Sequence, residues 1–278
     1  MKLRAESNIA WHYNWDRIDN TEDPNWFVKF LDSTRLRQLE NIREDPVQYF
    51  SPLEIKPNLH VLDLGCGTGI LLHPLAELVG KNGRIVGVDI SEFMVKEARK
   101  RAQTTDLPLE FYKGNVYSLD FPENSFDRAT CSTLFQHLKR PDEALNEIKR
   151  VVKPGGLISV FDHDWDSLII NNSYPAITRK ISEYFRNSLR NRDVGSRLKP
   201  IFESAGLSII RSYNVKVSLQ YDEFLNSNIG FYQASQLCVE EGIISSGERQ
   251  LWLNDLAEKA QNGDFRFEFT GYRIIGIK

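Results

Sequence analysis

Apolar positions change their period three times along the chain. Between residues 1 and 50 the sequence is polar and aromatic, and FVKFLDSTRLRQLENI sets Phe27, Phe30, Leu31, Leu36, Leu39 and Ile42 at helical spacing. Pro46, Pro52 and Pro57 then break the chain. From His60 to Asp162 short apolar runs alternate with amphipathic stretches. HVLDLG, RIVGVDI, LEFYKGN, FDRATCS and LISVFD read as strands, and ILLHPLAELVG, SEFMVKEARKRAQ and PDEALNEIKRVV read as helices. Ser91 is the expected N-cap of the second of these, with Met94, Ala98 and Ala102 on one stripe. Lys153-Pro154-Gly155-Gly156 reads as a helix stop and a turn. Residues 167–205 read as helical. GLSIIRSYNVKV and FRFEFTGYRIIGIK then read as two closing strands around a helical segment near 221–261.

Strands alternating with helices predict an α/β protein built on a doubly wound, mostly parallel sheet with helices on both faces. The expected organisation is an N-terminal helical lid (1–54), a core (55–166), a helical insertion (167–205) and a closing unit (206–278) that completes a seven-stranded sheet.

VLDLGCGTG, residues 61–69, carries the most specific chemistry. A strand that ends in glycines before a helix lets a ligand approach the backbone at the carboxyl edge of the sheet. The spacing Gly65-x-Gly67-x-Gly69 differs from the G-x-G-x-x-G of dinucleotide sites. Asp89 ends the second strand, where a carboxylate can accept two ribose hydroxyls. The alternatives for the two acids are local: Asp63 satisfying amides of the turn, and Asp89 sitting as an acid at a helix N-terminus.

With VLDLGCGTG, GVDIS, GNVYSLDFPENSFD, RVVKPGG and the later GSRLKPIFESAGL, the chain resembles the class I S-adenosylmethionine-dependent methyltransferases, in their UbiE-like small-molecule branch. The resemblance implies a Rossmann-like fold and S-adenosylmethionine as cofactor, with S-adenosylhomocysteine as product and no metal. It implies that Asp63, Gly65, Cys66, Gly67 and Gly69 flank the methionine part; with no base or metal partner near it in sequence, Cys66 itself reads as a small loop filler. Asp89 would hold the ribose, Ile90 would pack on the adenine, and Asn115, Val116 and Ser132 would line the cofactor. Where the family often has an acid facing the adenine amino group, this chain has Asn115, whose amide oxygen can still accept.

A sulfonium methyl is already activated, so alignment and exclusion of water are the main requirements, with a general base only for a protonated acceptor. His137, after the fourth strand, is the first candidate base. The second is His163 between Asp162 and Asp164, where flanking carboxylates would fix a tautomer and raise basicity. The competing readings are a helix-orienting histidine and a solvated polar turn. By the resemblance, the segment with Trp11, Tyr13 and Trp15 folds over the cofactor as a lid, with Tyr13 reaching the site; a docked terminal helix is the alternative. Arg35, Arg37 and Arg43 read as surface charge, or as one partner for the cofactor carboxylate.

Composition narrows the class without changing it. Apolar residues are 41%, charged residues 26% and the net charge −3, so no global basic field favours nucleic acid. No run reaches the ~18 apolar residues of a membrane span, and MKLRAESNIAWHYNWDR has no hydrophobic signal core. Three cysteines, Cys66, Cys131 and Cys238, suit neither a disulfide framework nor a zinc site. The expectation is a cytoplasmic enzyme, monomer or homodimer, acting on a small molecule of aromatic or acidic character. Seven basic side chains between Arg179 and Lys199 against Glu183 and Asp193 read as a charged outer helix face, or as a surface that attracts an acidic substrate or lines a cleft. The competing classes are a nucleic-acid methyltransferase, a nicotinamide oxidoreductase, and a protein that binds the sulfonium without methylating.

Overall fold

The computed structural model describes residues 15–44, 50–226 and 230–278. Tyr13 lies outside them, as do the side chains of Leu36, Arg37, Leu39, Ile42 and Arg43.

The sheet forms where the apolar runs predict it. Its strands are β1 (His60–Leu64), β2 (Arg84–Asp89), β3 (Leu109–Lys113), β4 (Phe126–Ser132), β5 (Val152–Ile170), β6 (Ser208–Leu219) and β7 (Phe267–Ile277). They lie in the order β3-β2-β1-β4-β5-β7-β6, a seven-stranded sheet. β7 runs antiparallel to both β5 and β6, and the pairs among β1–β5 are parallel. The order reverses between β1 and β4, and such a switch point opens a crevice at the carboxyl ends of the strands.

Helix α1 (Pro24–Glu44) precedes the sheet. α2 (Leu72–Val79), α3 (Glu92–Ala102) and α4 (Pro141–Val151) are the crossovers. Val61, Leu62, Val86, Ala129 and Ile158 are inaccessible or nearly so, as expected of strands covered on both faces. Ser91 caps α3 as its sequence predicts, its hydroxyl accepting from Met94 N at 3.2 Å.

Two expectations are corrected. β5 does not stop near Asp162: it continues to Ile170, alongside β7, through a register shift between Asp164 and Ile169. Residues 167–205 are therefore not one insertion. After β5 come α5 (Pro175–Asn187) and α6 (Val194–Ser204), which serve different cores. α6 buries Val194, Leu198 and Phe202 against the main sheet. α5 buries Ile181 and Phe185 in a second cluster with α7 (Tyr221–Asn226), α8 (Phe231–Glu240) and α9 (Ser246–Gln261). Trp252, Phe224 and Phe231 are its fully buried centre, and the far halves of β5 and β7 form its floor through Trp165, Phe267 and Phe269. The helical segment before β7 is thus half of a satellite subdomain. Its partner in sequence is α5, which is why a linear division of the chain separates them.

Candidate functional site

β1 ends in the glycine loop, and the loop's shape follows from its residues. Gly65, Gly67 and Gly69 all have left-handed φ, at 69°, 53° and 68°. A Cβ on Gly67 would lie 2.7 Å from Leu31 Cδ1, and one on Gly69 would lie 2.6 Å from the Phe111 ring. Conformation disfavours a side chain at both positions, and at Gly69 the Phe111 ring and Ala98 leave no room for one either. The Gly65 and Cys66 amides donate to Val88 O at 2.8 and 3.2 Å, which ties the loop to the end of β2. There Asp89 accepts from Gly67 N and Ser91 N, each at 2.9 Å. Desolvation raises the Asp89 carboxyl above its ordinary value, against those two hydrogen bonds.

A cavity of about 430 Å³ opens from this loop. One end is walled by Ile90, Asn115 and Val116, and Ile90 exposes 42% of its surface there. The other end is walled by His137, His163, Trp165 and Arg190. A smaller space of about 80 Å³ is lined by Asp63, Cys66 and Arg273. Leu31, Arg35, Gly65, Gly67 and Ser132 line both. Asp63 is half-buried and desolvation lifts its carboxyl to about 7, with the Arg35 guanidinium opposing and Asp89 adding to the rise. Burial likewise pushes the Cys66 thiol up, so it is no thiolate.

Arg35 lines both spaces rather than standing on the outer surface. Its guanidinium donates to Thr133 Oγ1 at 2.8 Å, just past β4. Thr133 holds φ at 57°, an unfavourable conformation for a β-branched residue and a mark of local constraint. The sequence offers Arg35 as one of three candidate partners for the cofactor carboxylate and carries no signal for Thr133. α1 itself is clamped over the loop: Asp32 accepts from Thr68 Oγ1 at 2.9 Å and pairs with both terminal nitrogens of Arg101. Ahead of α1, Asp19 accepts from Ser91 Oγ at 2.5 Å and from the Glu92 and Phe93 amides at 2.9 and 3.1 Å. Partial burial alone would raise Asp19, but those bonds and Lys113 hold it below its ordinary value. Trp15 packs on Phe27, Phe30 and the His137 ring, and Asp16 pairs with Arg190 at 3.1 Å. Trp15, Asp16, Ile18 and α1 therefore wall the cavity on one side.

The expected histidine–carboxylate cluster takes a different form. Asp162 is fully buried, and its carboxylate accepts from Gln136 N at 3.1 Å and His163 N at 2.9 Å. It holds the short 3-10 turn Phe135–His137 and does not reach the His163 ring. Desolvation lifts Asp162 to about 7. Asp164 accepts from Asp166 N at 3.0 Å. His163 sits edge-on among Phe161, Trp165 and Phe269 at 5.0–5.3 Å, and its buried Nδ1 has no partner among the described residues. Burial lowers His163 to about 3, helped by Arg35, so its basicity falls where flanking carboxylates would have raised it. Burial and Arg190 likewise lower His137 to about 4, against Asp16. Asn115 Oδ1 accepts from Tyr117 N at 3.0 Å, which leaves that oxygen one lone pair for a ligand.

Known proteins resemble this chain in sequence and in fold. Residues 55–206 match the family described as a methyltransferase domain. A 37.1 kDa protein in transposon Tn4556 of Streptomyces fradiae is 31% identical over 250 residues, covering 89% of this chain and 70% of that one. The demethylmenaquinone methyltransferase of Listeria monocytogenes is 29% identical over 175 residues, covering 57% of this chain and 74% of that protein. Among solved structures, a SAM-dependent methyltransferase from Aquifex aeolicus aligns with a TM-score of 0.55 at 25% identity, over 69% of this chain and 93% of that one. A seven-stranded sheet with an antiparallel β7, and a left-handed glycine loop facing an acid on β2, define a class of cofactor-binding enzyme. The chain belongs to the class I S-adenosylmethionine-dependent methyltransferases. No helix among the described residues is long and apolar enough to cross a membrane.

Proposed function

We propose that the chain transfers a methyl group to a small-molecule acceptor that enters the cavity beyond Ser132. The observation that carries this is the covered cavity, which joins the glycine loop and Asp89 to the His137–His163–Trp165 end. Its volume of about 430 Å³ under a roof of Trp15 and α1 suits small molecules and excludes a duplex.

The residues present fit S-adenosylmethionine. The loop holds no Cβ at the positions of close approach, Asp89 keeps lone pairs beyond its two amides, and Ile90 offers an uncovered apolar face. Asp89 would take the ribose hydroxyls, Ile90, Asn115 and Val116 the adenine, and Asp63, Gly65, Cys66, Gly67 and Ser132 the methionine part, with Arg35 on the same side of the loop. When bound, the cofactor supplies a methyl on a cationic sulfur, already activated toward nucleophiles. The protein's work is then alignment and dryness. Trp15, Phe30 and α1 exclude water, Thr133 and Arg35 shape the crossing point, and Trp165 and Trp15 bracket the acceptor. Burial holds both histidines below the ordinary imidazole range, which favours positioning over base catalysis for His137 and His163. Asp162 acts as a scaffold.

Aromatic walls with Arg190 and Lys139 at the far end suit an aromatic or anionic acceptor. The name of the Listeria relatives puts demethylmenaquinone-type quinols first in a screen with methyl-labelled S-adenosylmethionine, followed by phenols, amines and carboxylates. Label in a small-molecule product is the expected result. Label only in nucleic acid or protein would reject the reading.

A further inference from the structure

The turn Phe135–His137 presents two side chains whose hydrogen bonds determine each other. Trp165 Nε1 lies 2.8 Å from Gln136 Oε1. An indole nitrogen is a donor only, so the atom facing it must be the amide oxygen. The same conclusion comes from the other end of the amide. Gln136 Nε2 lies 3.4 Å from the Thr133 carbonyl, which can only accept. The two contacts agree on the orientation of this buried amide, and the one to the indole is much the shorter.

Gln136 Nε2 then has one hydrogen left, and it faces His137 Nε2 at 3.3 Å. An amide NH₂ can only donate, so His137 Nε2 must be the bare, accepting nitrogen and the ring proton sits on Nδ1. A base acting through Nδ1 would need the proton moved to Nε2, against the amide hydrogen. A doubly protonated ring would meet the same clash. Charges around the ring come from three elements: Asp16 on the N-terminal segment, Arg190 after α5, and Lys139 two residues on; His163 on β5 adds a neutral imidazole. Asp16 is already paired with Arg190 and does not bond the ring.

We propose that Gln136, oriented by the indole of Trp165, locks His137 as the Nδ1–H tautomer and makes it a hydrogen-bond donor toward an oxygen of the acceptor. Gln136 and Trp165 are then positioning residues acting through His137. The acceptor class that suits such a donor carries a carbonyl, enolate, phenolate or carboxylate oxygen and arrives with its nucleophile already deprotonated. This assignment of the oxygen's role rests on the methyltransferase reading; the tautomer does not.

The test uses the full chain labelled with ¹⁵N-histidine, whose long-range ¹H–¹⁵N correlations separate the two tautomers. His137→Asn assigns the signal among the five histidines. The expected spectrum at pH 7 shows His137 with a protonated Nδ1 and a bare Nε2, unchanged down to about pH 5. Gln136→Glu puts an accepting carboxylate opposite Nε2, so it should swap the proton to Nε2 and raise the ring's titration by about one pH unit or more. Trp165→Phe frees the amide to turn and should give a tautomer mixture. A wild-type ring with the proton on Nε2, a wild-type mixture, or a Gln136→Glu spectrum identical to wild type would overturn the proposal. So would a pure Nδ1–H ring in Trp165→Phe, as regards the indole. Calorimetry with S-adenosylmethionine on the same samples keeps the two ideas apart. A locked tautomer without cofactor binding faults the enzymatic reading, and binding with a free tautomer faults only this one.

Discussion

His137, His163 and Asp162 were all legible in the sequence as polar residues at the carboxyl edge of the sheet, but their chemistry was not. It depends on which atom each faces. Asp162 faces amides, His163 faces rings, and His137 faces the Gln136 amide, itself turned by an indole 29 positions further along the chain. Three outcomes are expected at this scale. Asp89→Ala should weaken S-adenosylmethionine by roughly 10- to 100-fold in calorimetry, the worth of one or two charge-assisted hydrogen bonds. With an acceptor from the screen, His137→Asn keeps a donor near Nδ1 and should retain activity within about tenfold, whereas His137→Ala should lose about 100-fold or more. The third outcome concerns pH. His163 has a folded pKa of about 3 against 6.5 unfolded, so the unfolded chain binds more protons in between. Its contribution to stability is full above 6.5 and is lost as pH falls toward 3. His163→Phe should therefore gain stability relative to wild type as pH drops from 7 to about 4.5 in urea melts, and a constant difference would contradict the assignment.

At the scale of elements, the lid and the sheet were unequally readable. Alternating apolar runs mark β1–β4 because buried parallel strands are continuous and short, and the glycines and Ser91 mark the turns at the ends of β1 and β2. The extension of β5 was hidden because DHDWDSLII alternates polar and apolar residues across a register shift, and α5 and α6 share one helical signal while packing on different cores. The role of α1 depends on contacts 36 and 69 positions apart, through Asp32 to Thr68 and Arg101, which no local pattern reveals. Asp32→Ala should cost about 1 kcal/mol in stability, because the pair is only partly buried. It should also weaken the cofactor by roughly 3- to 10-fold as α1 loosens over the loop. Unaltered affinity would mean that α1 does not form part of the site.

Across the whole molecule, two cores meet at the cavity. The main sheet supplies the glycine loop and Asp89, and the satellite supplies Trp165, stacked on Phe269 at 4.3 Å. Trp252→Ala, at the satellite's fully buried centre, should cost about 3–5 kcal/mol. It should reduce turnover far more than cofactor affinity, because only the acceptor end of the cavity leans on that core. Everything proposed for the acceptor depends on the covered cavity beside Asp89 being an S-adenosylmethionine site. Isothermal titration of the full chain with S-adenosylmethionine and, separately, with NADH tests this most directly. The predicted result is one site for S-adenosylmethionine, weakened by Asp89→Ala, and no heat with NADH. Binding of NADH in preference, or S-adenosylmethionine affinity indifferent to Asp89→Ala, would contradict it.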